Sequence, residues 1–163
     1  MRNAQMENGA ETESNEMELL EFKLGDSSYG IEIGKIRELL QYQPVKKMPG
    51  TPDCLEGIIC PRGEIYAVVD LAAYLQVPSS QKQEQDILII TDDRKNITAF
   101  HVHGVVGIHH ISLDAIEKPG TLFSGDAAVI TGIVKVDKRL VAIVNFEKII
   151  AILRPQFAME AAN

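Results

Sequence analysis

The chain has 163 residues, 45% of them hydrophobic, and a formal net charge of −7, which suits one compact domain or two small intimate ones with a real core. The acidic balance argues against a general nucleic-acid or anionic-membrane footprint, and no apolar run is long enough to cross a bilayer. With no signal pattern at the N-terminus and only Cys54 and Cys60 as cysteines, the reading is a soluble cytoplasmic protein without a disulfide framework.

Residues 1–16 are polar, rich in Glu and Asn, and are predicted to be a disordered tail. Strands begin at Leu19. Leu20, Phe22 and Leu24 alternate with other residues at the period of a strand. Gly25 to Ser28 reads as a hairpin turn, and Tyr29, Ile31 and Ile33 as the return strand. Ile36, Leu39 and Leu40 then fall at helical spacing, which predicts a short helix or turn. Pro44, Pro49 and Pro52 punctuate a loop. Gly57 to Cys60 resumes a strand, Pro61-Arg62-Gly63 turns it, and Glu64 to Val69 returns. Asp70 reads as the N-cap of a short helix over Leu71 to Leu75.

Pro78 to Gln83 is a polar boundary, after which the scheme starts again. Ile87–Thr91 and Ile97–His103 read as strands, with an extended stretch from Ile108 to Ile111. A hairpin is expected over Val129–Val136 and Leu140–Val144, then a helix over Glu147–Leu153 ended by Pro155. The spacing of short strands points to an all-β protein of small barrels or sandwiches.

The second half is a worn copy of the first. Gly57 matches Gly132, Ile58 matches Ile133, Ala67 matches Ala142, Val69 matches Val144, and Asp70 matches Asn145. Upstream, Ile31, Ile33, Ile36 and Leu39 line up with Phe100, Val102, Val105 and Ile108. Two related β-rich halves in tandem need a shared wall, and their junction offers a groove for a partner. The copies differ at one turn, Pro61-Arg62-Gly63 against Val136-Asp137-Lys138.

No catalytic constellation stands out. His101 and His103 point to one face of a strand, which would suit zinc or copper. The plainer reading is a polar strand face, because no carboxylate or cysteine sits nearby at ligand spacing; no metal and no cofactor are expected. Cys60 among Ile58 and Ile59 reads as a small core hydrophobe. Arg62, held between Pro and Gly, is either an ordinary turn arginine or a guanidinium fixed to pair with a carboxylate, for which Glu38 is the internal candidate. Ile36, Leu39, Val105 and Ile108 are either core or the border of a groove that meets a partner's helix.

Leu19 to Gly25, Tyr29-Gly30-Ile31 and Ile36-Arg37-Glu38 resemble the opening of the CheW-like coupling domains of bacterial chemotaxis. Gly57 to Gly63, through Val69-Asp70-Leu71, resembles that family's central signature, although its usual Asn-Leu-Arg-Gly turn is Cys60-Pro61-Arg62-Gly63 here. The resemblance covers about residues 18–153. It implies two tandem five-stranded SH3-like β-barrels packed together in a single domain over 17–153. The first barrel would lie at about 17–78, the second at about 84–153, and residues 154–163 would form a C-terminal tail. It further implies a non-enzymatic adaptor joining the cytoplasmic tips of methyl-accepting chemoreceptors to the regulatory domain of the histidine kinase CheA. By position, Ile36, Glu38, Leu39, Arg62, Val105 and Ile108 fall on the receptor-facing segments, and Leu55 and Gly57 on the kinase-facing loop. The Pro in the turn is also reminiscent of CheV proteins, which carry a receiver domain after such a domain, so a fragment of a CheV-type chain is the alternative.

Overall fold

Ten strands and two helices account for most of the chain in a computed structural model that describes residues 15–78, 83–93, 96–120 and 128–162. The expected tail falls mostly outside the described residues, and β1 already starts at Glu16. In order the strands are β1 (Glu16–Leu24), β2 (Ser27–Glu32), β3 (Ile36–Gln41), β4 (Leu55–Ile59) and β5 (Tyr66–Asp70), followed by helix α1 (Leu71–Leu75). Then come β6 (Ile87–Asp93), β7 (Asn96–Val102), β8 (Val105–Ser112), β9 (Ile130–Val136), β10 (Arg139–Val144) and helix α2 (Phe146–Ala162). The all-β reading holds: there are two five-stranded sheets, in the orders β8-β1-β2-β10-β9 and β3-β6-β7-β5-β4.

Those orders correct the expected division at residues 78 and 84. The two halves are alike, as the repeat requires, but they exchange strands. One sheet takes the hairpin β1–β2 from the first half and β8, β9 and β10 from the second; the other takes β3, β4 and β5 from the first half and the hairpin β6–β7 from the second. The registers are equivalent residue by residue. Leu20 opposes Ile108 where Ile89 opposes Leu39, and Ala142 lies beside Tyr29 where Ala67 lies beside Thr98. Sequence similarity reports which segments are alike. It does not report which copy pairs with which, because the exchanged and unexchanged arrangements make the same local contacts.

Each sheet closes into a barrel through one short backbone bridge. Lys46 pairs with Ile58 on the edge strand β4, with N···O distances of 2.9 Å both ways, and Glu117 pairs with Ile133 on β9. Each barrel has its own core: Leu19, Ile111, Val134 and Val141 in one, Tyr66, Val68, Leu88 and Ala99 in the other. A third and larger core lies between them, built from Leu20, Phe22 and Ile31 of one sheet, Ile89, Phe100 and Val102 of the other, and Phe146 and Ile149 of α2. This explains the run Leu88-Ile89-Ile90, which breaks strand alternation yet is buried on both faces. Burying a side chain of this size is worth about 1.5–3 kcal/mol, so the shared core binds the barrels into one unit.

Three local expectations change. Cys60, expected as a small core hydrophobe, is exposed. Ile36 to Gln41 is a strand preceded by a one-turn 3-10 segment at Ile33–Lys35, not a helix. Ile36, Glu38 and Leu40 face inward and Arg37, Leu39 and Gln41 outward in plain strand alternation, and the pairing with β6 carries a bulge between Ile36 and Glu38. The C-terminal helix runs on to Ala162, past Pro155. Proline removes one donor and bends a helix, but Gln156 to Ala162 are mostly good helix formers that continue it.

Candidate functional site

The Pro61-Arg62-Gly63 turn folds as a 3-10 turn between β4 and β5, with Arg62 in the left-handed region at φ +53°. That conformation swings the guanidinium back across the edge of the barrel to Glu38 on β3, and the two side chains form an ion pair. Glu38 and Arg62 are thus brought together from opposite edge strands of the sheet. Arg37 reaches Glu64 at 3.6 Å and Asp92 at 3.4 Å, which extends the pairing along the same seam. The other barrel has no counterpart, because Gly107 and Asp137 take the equivalent places.

The apolar candidates divide. Ile36 packs against the shared core. Leu39 is 42% exposed, Val105 37% and Ile108 56%. They lie on β3 and β8, the pair of equivalent strands exchanged between the halves. Val106, also exposed, belongs with them and has no apolar match in the first half, where Arg37 stands.

Leu55 and Gly57 are buried, and neither offers a side chain to solvent. Gly57 has φ +145°, and a Cβ there would lie 1.9 Å from the carbonyl oxygen of Lys46, the group that closes the barrel. The exposed part of this region is the preceding loop from Lys47 to Asp53, with Met48 at its surface.

Two polar groupings come from residues far apart in sequence. Glu21 on β1 is completely buried and receives both Nε (2.9 Å) and Nη2 (2.8 Å) of Arg139, with His109 Nε2 at 2.8 Å. The Arg139 guanidinium outweighs the effect of burial and holds the carboxyl down at about 2. A clue existed: Glu21 is in phase with the core residue Leu19.

The second grouping corrects the plain reading of the histidines. His101 is buried between two carboxylates, Glu56 at Nδ1 and Asp86 at Nε2 (2.6 Å). Tyr42 stacks on the ring at 4.2 Å and donates to Glu56 at 2.7 Å. Burial pulls the imidazole's pKa down, but the hydrogen bonds to the two carboxylates outweigh it and the net shift is upward. No local spacing announces this, because Glu56 stands on β4, Tyr42 just after β3 and Asp86 just before β6. The His103 ring meets the His101 ring edge-on at 5.8 Å, and its Nδ1 accepts from the Gly25 N–H at 2.9 Å. Asp70 caps α1 as expected, accepting from the Ala73 N–H at 3.2 Å.

Among the described residues, no helix is long and apolar enough to cross a membrane. The family model for the CheW-like domain matches residues 18–154. The chain is similar to the probable chemotaxis protein CheW of Rhizobium etli, 28% identical over 80% of this chain and 84% of that protein. It is 27% identical to chemotaxis protein CheW of Klebsiella aerogenes, over 82% and 81%. The crystal structure of the scaffolding protein TtCheW from Thermoanaerobacter tengcongensis superimposes with a TM-score of 0.73 at 28% identity, covering 78% of this chain and 83% of that one. With the paired SH3-like barrels and the Glu38–Arg62 seam, these matches place the chain in the CheW-like domain family, the coupling adaptors of bacterial chemotaxis.

Proposed function

We propose that the protein is a non-enzymatic adaptor in the cytoplasm that links the helical tips of methyl-accepting chemoreceptors to the regulatory domain of the histidine kinase CheA. The observations that carry this reading are the exposed aliphatics Leu39 on β3 and Val105, Val106 and Ile108 on β8, its equivalent strand, with the Glu38–Arg62 ion pair next to Leu39 along β3. Exposed aliphatics on strand surfaces rimmed by fixed charge suit the apolar stripe of an amphipathic helix. Ile36 anchors β3 by packing against the shared core. Leu55 and Gly57 act on the kinase side indirectly, by holding the loop Lys47 to Asp53, whose Met48 is 38% exposed. Signal would pass through geometry within an assembly, without turnover. A CheW-like domain cut from a CheV-type protein is not better supported by the matches.

The test is paired. Leu39→Asp, Ile108→Asp and Arg62→Asp should each weaken binding to a receptor-tip fragment while keeping the circular-dichroism melt of the native protein. The same variants should still bind the CheA regulatory domain in the micromolar range of a moderate interface. Unchanged receptor binding in all three would refute the assignment of this face, and absence of saturable CheA binding by the native chain would refute the adaptor role.

A further inference from the structure

One mouth of the barrel built on β3-β6-β7-β5-β4 gathers the C-terminal ends of β3, β5 and β7 and the N-terminal ends of β4 and β6. We propose that this mouth is a divalent transition-metal site, taking Zn2+ through His101, Glu56 and Asp70. One ligand atom from each of these residues lies within 4.8 Å of the other two. Zn–N and Zn–O bonds of about 2.0–2.2 Å set tetrahedral ligands roughly 3.4 Å apart, a distance that side-chain rotations of about 1 Å reach.

The histidine is arranged as a metal ligand would be. Its Nε2–H donates to Asp86 at 2.6 Å, and Asp86 is 6% exposed. A carboxylate behind an imidazole fixes the tautomer and the ring plane and raises the basicity of the opposite nitrogen. That nitrogen, Nδ1, hydrogen-bonds Glu56, and it would release its proton to solvent on taking the ion. Tyr42 holds the ring by stacking and holds Glu56 by donating to its Oε2 at 2.7 Å, so both ligands are preset. Asp70 is paired with His101 in the parallel register of β5 and β7, and its N-cap contact uses Oδ1 alone.

The local charge calls for a cation. Three carboxylates surround one imidazole, which leaves a net negative charge whether or not the ring is protonated. The second oxygen of Asp86, Oδ1, is buried with no hydrogen-bond partner, an arrangement that is costly unless something nearby compensates it. One imidazole nitrogen with carboxylate oxygens suits zinc, nickel or cobalt better than calcium or magnesium, which take oxygen alone. The duplicated architecture supplies a comparison within the same chain: in the other barrel the equivalent positions are Glu32, Thr131, Asn145 and Met17, which cannot form this donor set. The role is structural. An ion here would tie β4, β5 and β7 together, and β6 through Asp86.

The experiment is calorimetric titration of Zn2+ into the chelator-treated full chain, with Co2+ as a spectroscopic probe. The expected result is one saturable site, a Co2+ absorption band showing nitrogen and oxygen ligation, and at least a tenfold loss of affinity in both His101→Ala and Asp70→Asn. Asp70→Asn keeps the size of the side chain and its N-cap oxygen, so it reports even if His101→Ala does not fold. Absence of saturable binding by the native chain would overturn the proposal. So would binding that survives Asp70→Asn and Glu56→Gln and is lost in a His109→Ala, His110→Ala double variant, because the ion would then sit on the surface of β8.

Discussion

Gly57 and Gly132 are the same glycine in the two copies, yet the structure assigns them different costs. At Gly57 the backbone has φ +145°, and an added Cβ would come within 1.9 Å of the Lys46 carbonyl oxygen and 2.9 Å of Lys47 Cα, both backbone atoms that cannot rotate away. Strain at such a φ costs about 1–3 kcal/mol. The displaced Lys46–Ile58 bridge loses two hydrogen bonds, each worth about 1 kcal/mol net. Gly57→Ala should therefore destabilise by about 3–5 kcal/mol, a large share of the 5–15 kcal/mol typical of a domain. At Gly132 the φ is not positive, and the Cβ meets the Ile116 Cγ2 methyl at 2.4 Å, whereas the nearest backbone atom stays at 3.5 Å. That methyl is bonded directly to the Ile116 Cβ, so it clears only if this stiff β-branched side chain changes χ1, and Gly132→Ala should cost about 1–3 kcal/mol, less than Gly57→Ala because the backbone is spared. The assay is urea unfolding at 25 °C followed by far-ultraviolet circular dichroism, because the chain has no tryptophan. A Gly57→Ala loss below 1 kcal/mol, or a Gly132→Ala loss that equals it, would refute the argument from barrel closure.

Phe100 is fully buried and its ring centroid lies 4.1 Å from that of Phe146 in the core shared by the barrels. Phe100→Ala should cost about 3–5 kcal/mol in a single unfolding transition; two separate transitions would mean the barrels fold independently. The folded pKa of Glu21, about 2, is below its usual 4.5, so its stabilising contribution is present above pH 4.5 and lost as pH falls towards 2. Glu21→Gln should therefore be less stable than the native chain at neutral pH, the gap narrowing over that window; parallel stability curves would contradict the sign. Chelator treatment should lower the thermal midpoint of the native chain and leave that of Asp70→Asn unchanged.

Strand positions, the repeat and the Glu38–Arg62 pair were legible because each leaves a local mark: alternation, matched spacing, or a turn that fixes a side chain. The short helix or turn expected from Ile36, Leu39 and Leu40 failed because an outward Leu39 beside an inward Leu40 mimics helical spacing, while the segment alternates as a strand. The mouth around His101 was not legible. Its carboxylates come from residues 56, 70 and 86, and only the barrel's closure brings them to the imidazole. Glu21 stood in a core phase all along, but its partner Arg139 is brought to it only through the parallel pairing of β2 with β10.

The exchange of strands between the halves has a consequence for assembly. Neither residues 15–78 nor residues 83–163 hold a complete barrel, since each owns a hairpin that completes the other's three strands. Split into these two fragments, the chain should behave as an obligate heterodimer: each piece unfolded alone, and refolding on mixing at a rate that rises with concentration. In the intact chain the same pairing is covalently tethered, and its many contacts across long sequence separations predict slow, all-or-none folding.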